Sequence, residues 1–275
     1  MSEAAVGAAL LDPQDPPPFV AQSPQPRVAR SVIVVCDHAS KVLPRKLGTL
    51  GLPAQRLDEH IGHDIGAAGV ARRLAEELQA AFVLGAYSRL AVDLNRSTRD
   101  AGVIPAISDG VLVPGNLGLS AAARAERVAE LYAPYHDTIE RMIAAQLATG
   151  TAPVIVAVHS FTPVISGVPR PWHAGVLWDK DARLAIPLLA ALRAEGDLRV
   201  GDNEPYSGRH PADYTIDHHA ERGGFAHAAI EIRQDLIARP SAQRAWGARL
   251  ARVLRAILGE PALYVRSSGT EGACR

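Results

Sequence analysis

Two apolar segments that each end near a histidine constrain this chain more than any other feature. Residues 32–35 form an unbroken run of β-branched residues that leads to Asp37 and His38, and residues 154–158 lead to His159. Such runs are typical of strands that are covered on both faces, as in a parallel sheet. Ligands of open α/β sheets bind outside the carboxyl ends of the strands. Both histidines are therefore expected where a functional site would lie.

Length and composition narrow the classes of function. The chain has 275 residues, enough for a full hydrophobic core, and one domain is the favoured count. Lys plus Arg and Asp plus Glu both number 29, so the formal net charge is zero. This balance argues against nucleic acid or a membrane surface as a partner. The sequence contains no apolar run long enough to span a membrane, and residues 5–11 lack the basic flank of a signal peptide.

The two cysteines, Cys36 and Cys274, are expected in a strand and in a tail. A disulfide between them is not expected, and low cysteine use suits the reducing cytoplasm. Cys36 is expected to be a core residue, although it alternates onto the same side of its strand as His38.

Segments with strand and helix patterns alternate along the chain. Strands are predicted over 32–36, 81–86, 154–161, 174–177, 198–200 and 228–235, and helices over 58–80, 121–148, 181–194 and 242–258. This alternation predicts an α/β fold with a mixed, mostly parallel central sheet.

The domain boundaries follow from composition. Residues 1–30 are rich in proline and are predicted to form a flexible arm, residues 31–266 a single α/β domain, and residues 267–275 a tail. Loops 97–119 and 201–227 are long and polar or rich in glycine and proline, so they are expected to form the walls of a pocket. A nucleotide-binding glycine fingerprint does not occur.

The strand-end histidines suggest a metal site. A hydrolytic zinc ion needs three protein ligands and an open position, so His38 and His159 require a third ligand. His60 and Asp64 are four residues apart near the start of the predicted helix 58–80, where they would share one face. Either side chain can bind zinc. The alternatives are that the histidines are structural, that Asp64 pairs locally and that His60 is exposed.

Glu231 lies between two isoleucines in the predicted strand 228–235. A carboxylate in such a position needs a partner, because burial of an unpaired charge is costly. Arg233 is one candidate partner, in a structural salt bridge. The functional alternative is that Glu231 is a general base beside a metal.

A second group of polar residues suits substrate binding. Arginine binds carboxylates with two hydrogen bonds and asparagine adds directional donors, so Arg89, Asn95 and Arg96 could hold an acidic substrate. Ordinary surface ion pairs are the alternative. The further candidates for substrate contacts are Ser160, His219 and Arg222.

Five segments carry most of these candidates in a fixed order. They are Cys-Asp-His-Ala-Ser at 36–40, His-Ile-Gly-His-Asp-Ile-Gly-Ala at 60–67, Tyr-Ser-Arg-Leu-Ala-Val-Asp-Leu-Asn-Arg at 87–96, Val-His-Ser-Phe at 158–161 and Ile-Glu-Ile-Arg-Gln-Asp-Leu at 230–236. Together they resemble the N-formylglutamate amidohydrolase family over about residues 31–257, and the Ser-Arg-x-x-x-Asp-Leu-Asn-Arg element is the most specific part. More distantly, the chain resembles the zinc carboxypeptidase and aspartoacylase group. The resemblance implies a three-layer α/β/α sandwich of the phosphorylase/hydrolase-like, zinc-carboxypeptidase-like kind.

The resemblance also implies roles for individual residues. His38 and His159 match the histidine ligands of a divalent metal, with Zn²⁺ as the expected ion. Glu231 matches the catalytic glutamate that works on water. The residues that match the carboxylate clamp are Arg89, which could also stabilise an oxyanion, Asn95 and Arg96.

The chain departs from the wider group at Lys41. That group has a glutamate ligand there, three residues after its first histidine, and a protonated lysine cannot replace it. His60 and Asp64 are the nearest replacements. The formylglutamate enzymes have an aspartate at the position of His60, and an imidazole there would keep a ligand.

The predicted function is metal-dependent hydrolysis of a linear amide C–N bond. The reaction would remove a formyl or other small acyl group from an N-acyl amino acid such as N-formylglutamate. One alternative is a non-catalytic binding protein for an acidic metabolite, and another is a peptidase or deacylase of the same fold. The expected partner is a small molecule, and the oligomeric state is not predicted.

Overall fold

The computed structural model of the protein describes residues 9–23, 31–209 and 214–267, and a seven-stranded sheet lies at its centre. The strands are β1 (Phe19–Gln22), β2 (Val32–Cys36), β3 (Ala81–Gly85), β4 (Val154–Phe161), β5 (Ala174–Leu177), β6 (Val200–Asp202) and β7 (His227–Arg233). They lie side by side in the order β1-β3-β2-β4-β7-β5-β6. The pairs β1–β3 and β7–β5 are antiparallel and the other neighbouring pairs are parallel. The prediction of a mixed, mostly parallel sheet is confirmed.

Helices cover both faces of this sheet. They are α1 (Ala67–Leu78), α2 (Ala121–Arg127), α3 (Ala133–Leu147), α4 (Ala182–Ala194), α5 (Tyr214–Ile216) and α6 (Pro240–Ile257). A π-helical turn, Val128–Tyr132, joins α2 to α3, and another, Asp217–Glu221, extends α5. The short 3₁₀ helices are Arg45–Leu47, Ala54–Asp58, Ala101–Val103, Pro114–Asn116, Gln234–Leu236 and Pro261–Tyr264. Two small hairpins pair Ile107–Ser108 with Val111–Leu112 and Val164–Ile165 with Val168–Pro169.

The apolar runs of the sequence are explained by burial on both faces of the sheet. Alternate residues of β2 face opposite layers: Val34 packs towards α1, α4 and α6, whereas Val35 packs towards α3. In the same way, Val156 and Ala157 of β4 belong to opposite cores. Full burial of one aliphatic side chain stabilises the fold by about 1.5–3 kcal/mol. These two cores confirm the predicted three-layer α/β/α sandwich.

The first helix begins later than the sequence pattern predicts. Helix α1 begins at Ala67, not at Asp58, and residues 59–66 form turns. Gly66 precedes α1 with a φ of 83°, a conformation that favours glycine. A Cβ at Gly66 would lie 2.3 Å from the carbonyl oxygen of Ile237. The periodic apolar residues predicted the existence of the helix correctly. Its predicted start was wrong, because residues 59–66, which include Gly62 and Gly66, form turns.

The prediction of a flexible arm is wrong for residues 9–23. Leu10 is buried, and the backbone N–H groups of Leu10 and Leu11 donate to the carboxylate of Glu130 at 2.7 and 2.8 Å. Strand β1 pairs with β3 at the edge of the sheet. A proline-rich segment is tolerated there, because the backbone N–H groups on the outer side of an edge strand have no neighbouring strand to bond. Residues 1–8, 24–30 and 268–275 lie outside the described part of the chain, so the rest of the arm and nearly all of the tail stay predictions.

Most other boundaries of strands and helices agree with those predicted from the sequence. Strands 32–36, 154–161 and 174–177 are confirmed, and the strands predicted at 198–200 and 228–235 shift by two residues or fewer. Cys36 is a buried core residue. Among the described helices, none combines the length and apolarity that a membrane span requires.

Leu10→Ala tests the attachment of the N-terminal segment. Because Leu10 is 3% exposed, its truncation should lower the free energy of unfolding by about 2–3 kcal/mol in urea titrations. Val20→Ala is the matched control, since Val20 is 40% exposed and its truncation should cost less than about 1 kcal/mol. Equal, small effects of both variants would show that the segment does not pack as described.

A buried ion pair below β7 should make stability depend on pH. The Nε2 atom of His227 lies 3.2 Å from Oε1 of Glu221. Burial alone would raise the pKa of Glu221, but His227 and backbone donors lower it to about 2. Burial alone would lower the pKa of His227, but Glu221 raises it.

Glu221→Gln should therefore destabilise the protein most between about pH 5 and 6, by about 1.5–3 kcal/mol. Ionised Glu221 contributes stability above its ordinary pKa of 4.5, and this contribution is lost as the pH falls towards 2. Protonated His227 contributes below its ordinary pKa of 6.5, and this contribution is lost as the pH rises through the raised value. Urea unfolding from pH 2 to 9 measures the difference between the two proteins, and a difference independent of pH would contradict the ion pair.

Candidate active site

The site lies at the carboxyl ends of β2, β4 and β7, on the α3 side of the sheet. Ile155 and Ala157 face the α3 core, so two residues further along β4 His159 points to the same side. Glu231 on β7 is the register neighbour of His159. Parallel strands with aligned ends thus place two side chains that are 72 residues apart in the sequence next to each other.

A cleft of about 450 Å³ opens at this rim. Eight of the residues selected from the sequence line it: His38, Asp64, Arg89, Asn95, Arg96, His159, Ser160 and Glu231. Tyr206 and Ser207 of the predicted loop 201–227 also line the cleft, whereas its described lining includes no residue of loop 97–119. Among the described residues, loop 201–227 therefore forms part of the expected wall and loop 97–119 does not.

Asp64 joins the two strand-end histidines in one buried group. One ligand atom from each of His38, Asp64 and His159 lies within 4.8 Å of the others. Nδ1 of His159 is 2.9 Å from one carboxylate oxygen of Asp64, and Nδ1 of His38 is 3.5 Å from the other. The group could hold a metal ion, since two imidazoles and a carboxylate are a common zinc donor set.

Hydrogen bonds to other segments hold the turn that carries Asp64. The N–H group of Asp64 donates to the carbonyl of His38 at 2.9 Å. The hydroxyls of Ser88 and Ser160 donate to the carbonyls of Gly62 and Ile65 at 2.7 and 2.9 Å. Ser160, a predicted substrate contact, thus lines the cleft while it supports this turn.

Two further aspartates contact the outer nitrogens of the histidines, which are the Nε2 atoms that face away from Asp64. Nε2 of His38 donates to Asp93 at 2.7 Å, and Nε2 of His159 lies 3.4 Å from Asp37. In a neutral imidazole, a carboxylate on the outer nitrogen sets the tautomer so that the inner nitrogen carries the lone pair, as in many metal-binding histidines. The sequence analysis missed both aspartates as site residues, although Asp37 precedes His38 and Asp93 lies within the most specific motif.

The position of Asp37 depends on close packing of its backbone and on two hydroxyl donors. Tyr135 and Thr215 donate to Oδ1 of Asp37, both at 2.8 Å. A Cβ at Gly85 of the neighbouring strand would lie 2.3 Å from the carbonyl oxygen of Asp37, so only glycine fits there. Burial alone would raise the pKa of Asp37, but the hydrogen bond and charge of His159, with help from His38 and Tyr135, lower it to about 2.

The other buried groups show the same competition between burial and opposite charge. Burial would raise the pKa values of Asp64 and Asp93, but His38 and His159 lower that of Asp64, and Arg89 and His38 lower that of Asp93. Burial would lower the pKa of His159, but its bonds to Asp37 and Asp64 raise it well above the ordinary value. The three aspartates therefore carry negative charge that the surrounding groups must balance.

The predicted clamp residues lie at different depths. Arg89 donates to Asp93 at 2.9 Å, and its Nη1 atom is 3.5 Å from Asp64. Burial would lower the pKa of Arg89, but Asp93 and Asp64 raise it, so the guanidinium stays charged. Oδ1 of Asn95 accepts from the N–H of Thr215 at 2.9 Å, which leaves the amide NH₂ group for the cleft. Arg96 is 48% exposed at the mouth and donates to Asp100.

Glu231 does not pair with Arg233. Nε of Arg233 donates to Asp235 at 2.8 Å, and Nη1 of the same guanidinium donates to the carbonyl of Trp172. Glu231 is buried and lines the cleft. The alternative of a structural salt bridge between residues 231 and 233 is wrong, because Arg233 ends the strand and its guanidinium pairs with Asp235.

His60 lies apart from the buried group. Its Nε2 atom is 2.9 Å from Asp109, and its side chain is 32% exposed. The expectation that His60 and Asp64 share a helical face is wrong, because residues 59–66 are not helical. Of the two predicted replacements for the ligand missing at Lys41, the structure brings Asp64 to the histidines, and Lys41 itself pairs with Asp58.

His219 and Arg222 do not line the cleft, contrary to the prediction. His219 is buried against His136, with 2.8 Å between Nε2 and Nδ1. Burial lowers the pKa of His219 to about 3 and that of His136 to about 4, so both rings are neutral at pH 7. Arg222 donates to His218 at 3.4 Å. The helical segment 214–221 directs His219 towards α3.

Comparisons with known proteins agree with the architecture and with the motifs. The family model described as N-formylglutamate amidohydrolase matches residues 30–238. A protein named N-formylglutamate deformylase from Pseudomonas aeruginosa is 30% identical over 202 residues, which are 68% of this chain and 75% of that protein. The chain belongs to the N-formylglutamate amidohydrolase family, whose members are hydrolases of amide bonds.

Solved structures show the same fold. The gene product Atu2144 from Agrobacterium tumefaciens is 37% identical and superposes with a TM-score of 0.85 over 91% of this chain and 98% of that one. An N-formylglutamate amidohydrolase from Ralstonia eutropha JMP134 is 18% identical, with a TM-score of 0.64 over 87% of this chain and 98% of that one. At that level of identity the second likeness concerns the fold alone.

Proposed function

We propose that this chain is a metal-dependent deformylase of acidic N-formyl amino acids, with N-formylglutamate as the first candidate substrate. The observation that carries the proposal is the convergence of three potential metal ligands, a buried glutamate and two arginines on one cleft. The name of the Pseudomonas aeruginosa relative supports the same substrate. A cleft of about 450 Å³ suits a small molecule.

The donor set fits a divalent cation, and Zn²⁺ fits best. His38, Asp64 and His159 would hold it, and Nδ1 of His38 is a buried atom to which the described residues offer no hydrogen bond. Asp37 and Asp93 orient the two rings from outside, as expected for zinc-binding histidines. Asp37, Asp64 and Asp93 are all buried, and Arg89 is the guanidinium that pairs with two of them. Because metal-bound imidazoles are neutral, a cation at the centre would replace the protons of the two histidines and balance the negative charge that Arg89 leaves.

Glu231 is positioned to move the protons of the reaction. When bound, the cation would polarise the formyl carbonyl and lower the pKa of an attacking water. Glu231 would accept a proton from that water as its oxygen bonds to the formyl carbon. The same carboxyl would then protonate the amino nitrogen as the C–N bond breaks, which releases formate and the amino acid.

Arg89 and Arg96 would hold different parts of the substrate. Arg89 lies beside Asp64, so it is placed to stabilise negative charge on the formyl oxygen. Arg96 and the amide NH₂ group of Asn95 lie towards the mouth, where they can bind carboxylates of the amino-acid portion. This arrangement favours a substrate with more than one negative group, and it supports an acidic amino acid over a neutral one.

Glu231→Gln should abolish formate release and keep the metal. The amide cannot accept a proton from water, so kcat should fall by about 10²–10⁴-fold with N-formylglutamate. Metal content measured by mass spectrometry should match that of the wild type. His159→Ala is the matched comparison, because it should lose both the activity and the metal of the cleft.

Two results would contradict this assignment. Full activity in the Glu231→Gln variant would remove Glu231 from the mechanism. Full activity in wild-type protein that a chelator has stripped of metal would remove the cation.

Arg96→Met should weaken substrate binding with little effect on the chemical step. Loss of a charged hydrogen bond of about 1.5–3 kcal/mol corresponds to a KM for N-formylglutamate raised by about 10–100-fold. Arg99→Met is the control, because Arg99 is an exposed arginine of the same loop that does not line the cleft. If both variants raise KM equally, the effect comes from general surface charge and the clamp is refuted.

A further inference from the structure

A second group of potential metal ligands lies outside the cleft. One ligand atom from each of Glu140, His218 and His219 lies within 4.8 Å of the others. Glu140 belongs to α3, and the two histidines belong to the π-helical turn Asp217–Glu221. The rings of His218 and His219 are 4.7 Å apart between centroids, and Nε2 of His218 is 3.3 Å from Oε1 of Glu140.

A chain of hydrogen bonds determines which nitrogen of His219 carries its proton. Nε2 of His136 lies 3.0 Å from the carbonyl of Leu94, which can only accept, so this nitrogen is the donor. Nδ1 of His136 must then accept from Nε2 of His219, at 2.8 Å. The remaining nitrogen of His219, Nδ1, therefore keeps a lone pair. An outer partner that fixes the tautomer in this way is the usual setting of a metal-binding histidine.

The group is accessible from solvent on one side. The side chains of Glu140 and His218 are 57% and 28% exposed, whereas His219 is buried. Arg222 donates to Nδ1 of His218, so Nε2 faces Glu140. An ion could enter from the exposed side and bind Nε2 of His218 as the ring changes tautomer. The Nε2 proton would leave to solvent, Nδ1 would take up a proton, and the 3.4 Å hydrogen bond from Arg222 would be lost.

We propose that Glu140, His218 and His219 form a second binding site for a divalent transition metal, of which Zn²⁺ is the type. Two imidazoles and one carboxylate are a borderline-soft donor set that Zn²⁺ takes and that Mg²⁺ and Ca²⁺ do not favour. The site lies outside the substrate cleft and does not depend on the proposed reaction.

The ion would join α3 to the segment 214–221. That segment carries Thr215, whose N–H donates to Asn95 and whose hydroxyl donates to Asp37. An ion bound at the second site would therefore stabilise the segment that positions one clamp residue and one carboxylate behind His159. The ion would cross-link α3 and the segment 214–221, because α3 supplies Glu140 and the segment supplies the two histidines.

Zn²⁺ titration of the full chain against a competing chromophoric chelator tests the site. Stripped wild-type protein should bind two equivalents, and His159→Ala should retain one. Glu140→Gln should lose the second equivalent, with its affinity lowered by more than about 100-fold, since even outer partners of zinc ligands contribute 10–100-fold. Glu140 is exposed, so this variant does not threaten the fold.

His60→Ala is the matched control, because His60 and Asp109 form a partly exposed histidine–carboxylate pair to which the described part of the chain adds no third potential ligand. It should keep both equivalents. In addition, Zn²⁺ should shift the side-chain ¹⁵N resonances of His218 and His219 in the His159→Ala protein and raise its melting temperature. Glu140→Gln in the same background should abolish both effects.

The outcomes separate the two sites. If the wild type binds one equivalent and Glu140→Gln also binds one, the second site is refuted and the cleft holds the ion. If the wild type binds one equivalent and Glu140→Gln binds none, the second site stands and the cleft metal is refuted. Retention of two equivalents in Glu140→Gln would also overturn the proposal.

Discussion

The buried carboxylate of Asp64 lies between two imidazoles, and the rest of the site is arranged around this contact. Its oxygens are 2.9 Å from Nδ1 of His159 and 3.5 Å from Nδ1 of His38. Asp93 and Asp37 occupy the outer nitrogens of the same rings. Because an isolated buried charge costs several kcal/mol, each of these groups requires the others. The network therefore forms only when β2, β4, the turn before α1 and the 88–96 segment have all come together.

The layered scaffold explains how such distant segments meet. Two cores fix β2 and β4 between α-helical layers, so the ends of these strands are held rigidly at one rim. The segment that carries Asp64 is a turn and not part of a helix, and hydrogen bonds from the hydroxyls of Ser88 and Ser160 hold it in place. On the far side, the 214–221 segment contacts Asp37 and Asn95 through Thr215. Strands thus supply the histidines and the glutamate, while turns supply the residues that adjust them.

Sequence reasoning succeeded where a regular element determines the position of a side chain. His38 and His159 could be selected because strand ends in an α/β sheet meet at one edge, and Glu231 because a carboxylate within a predicted strand needs a partner. It failed between Asp58 and Gly66, where the helical pattern was extended over two glycines. His60 and Asp64 were therefore expected to be equally good candidates for a metal ligand. It also missed Asp93, which reads as a polar residue in an alternating segment, and it placed His219 near substrate although that ring packs on His136.

The sequence by itself determined the layered α/β architecture, the order of the strands along the chain, and the residues that end them. These features follow from local periodicity and from the burial of apolar runs, which act within a few residues. The tertiary structure alone decided which carboxylate faces which ring nitrogen, and that His218 and His219 meet Glu140. Such contacts join residues as distant in the sequence as Asp37 and His159, and a hydrogen bond depends on distances of a few tenths of an ångström that turns and packing set. No local pattern in the sequence carries that information.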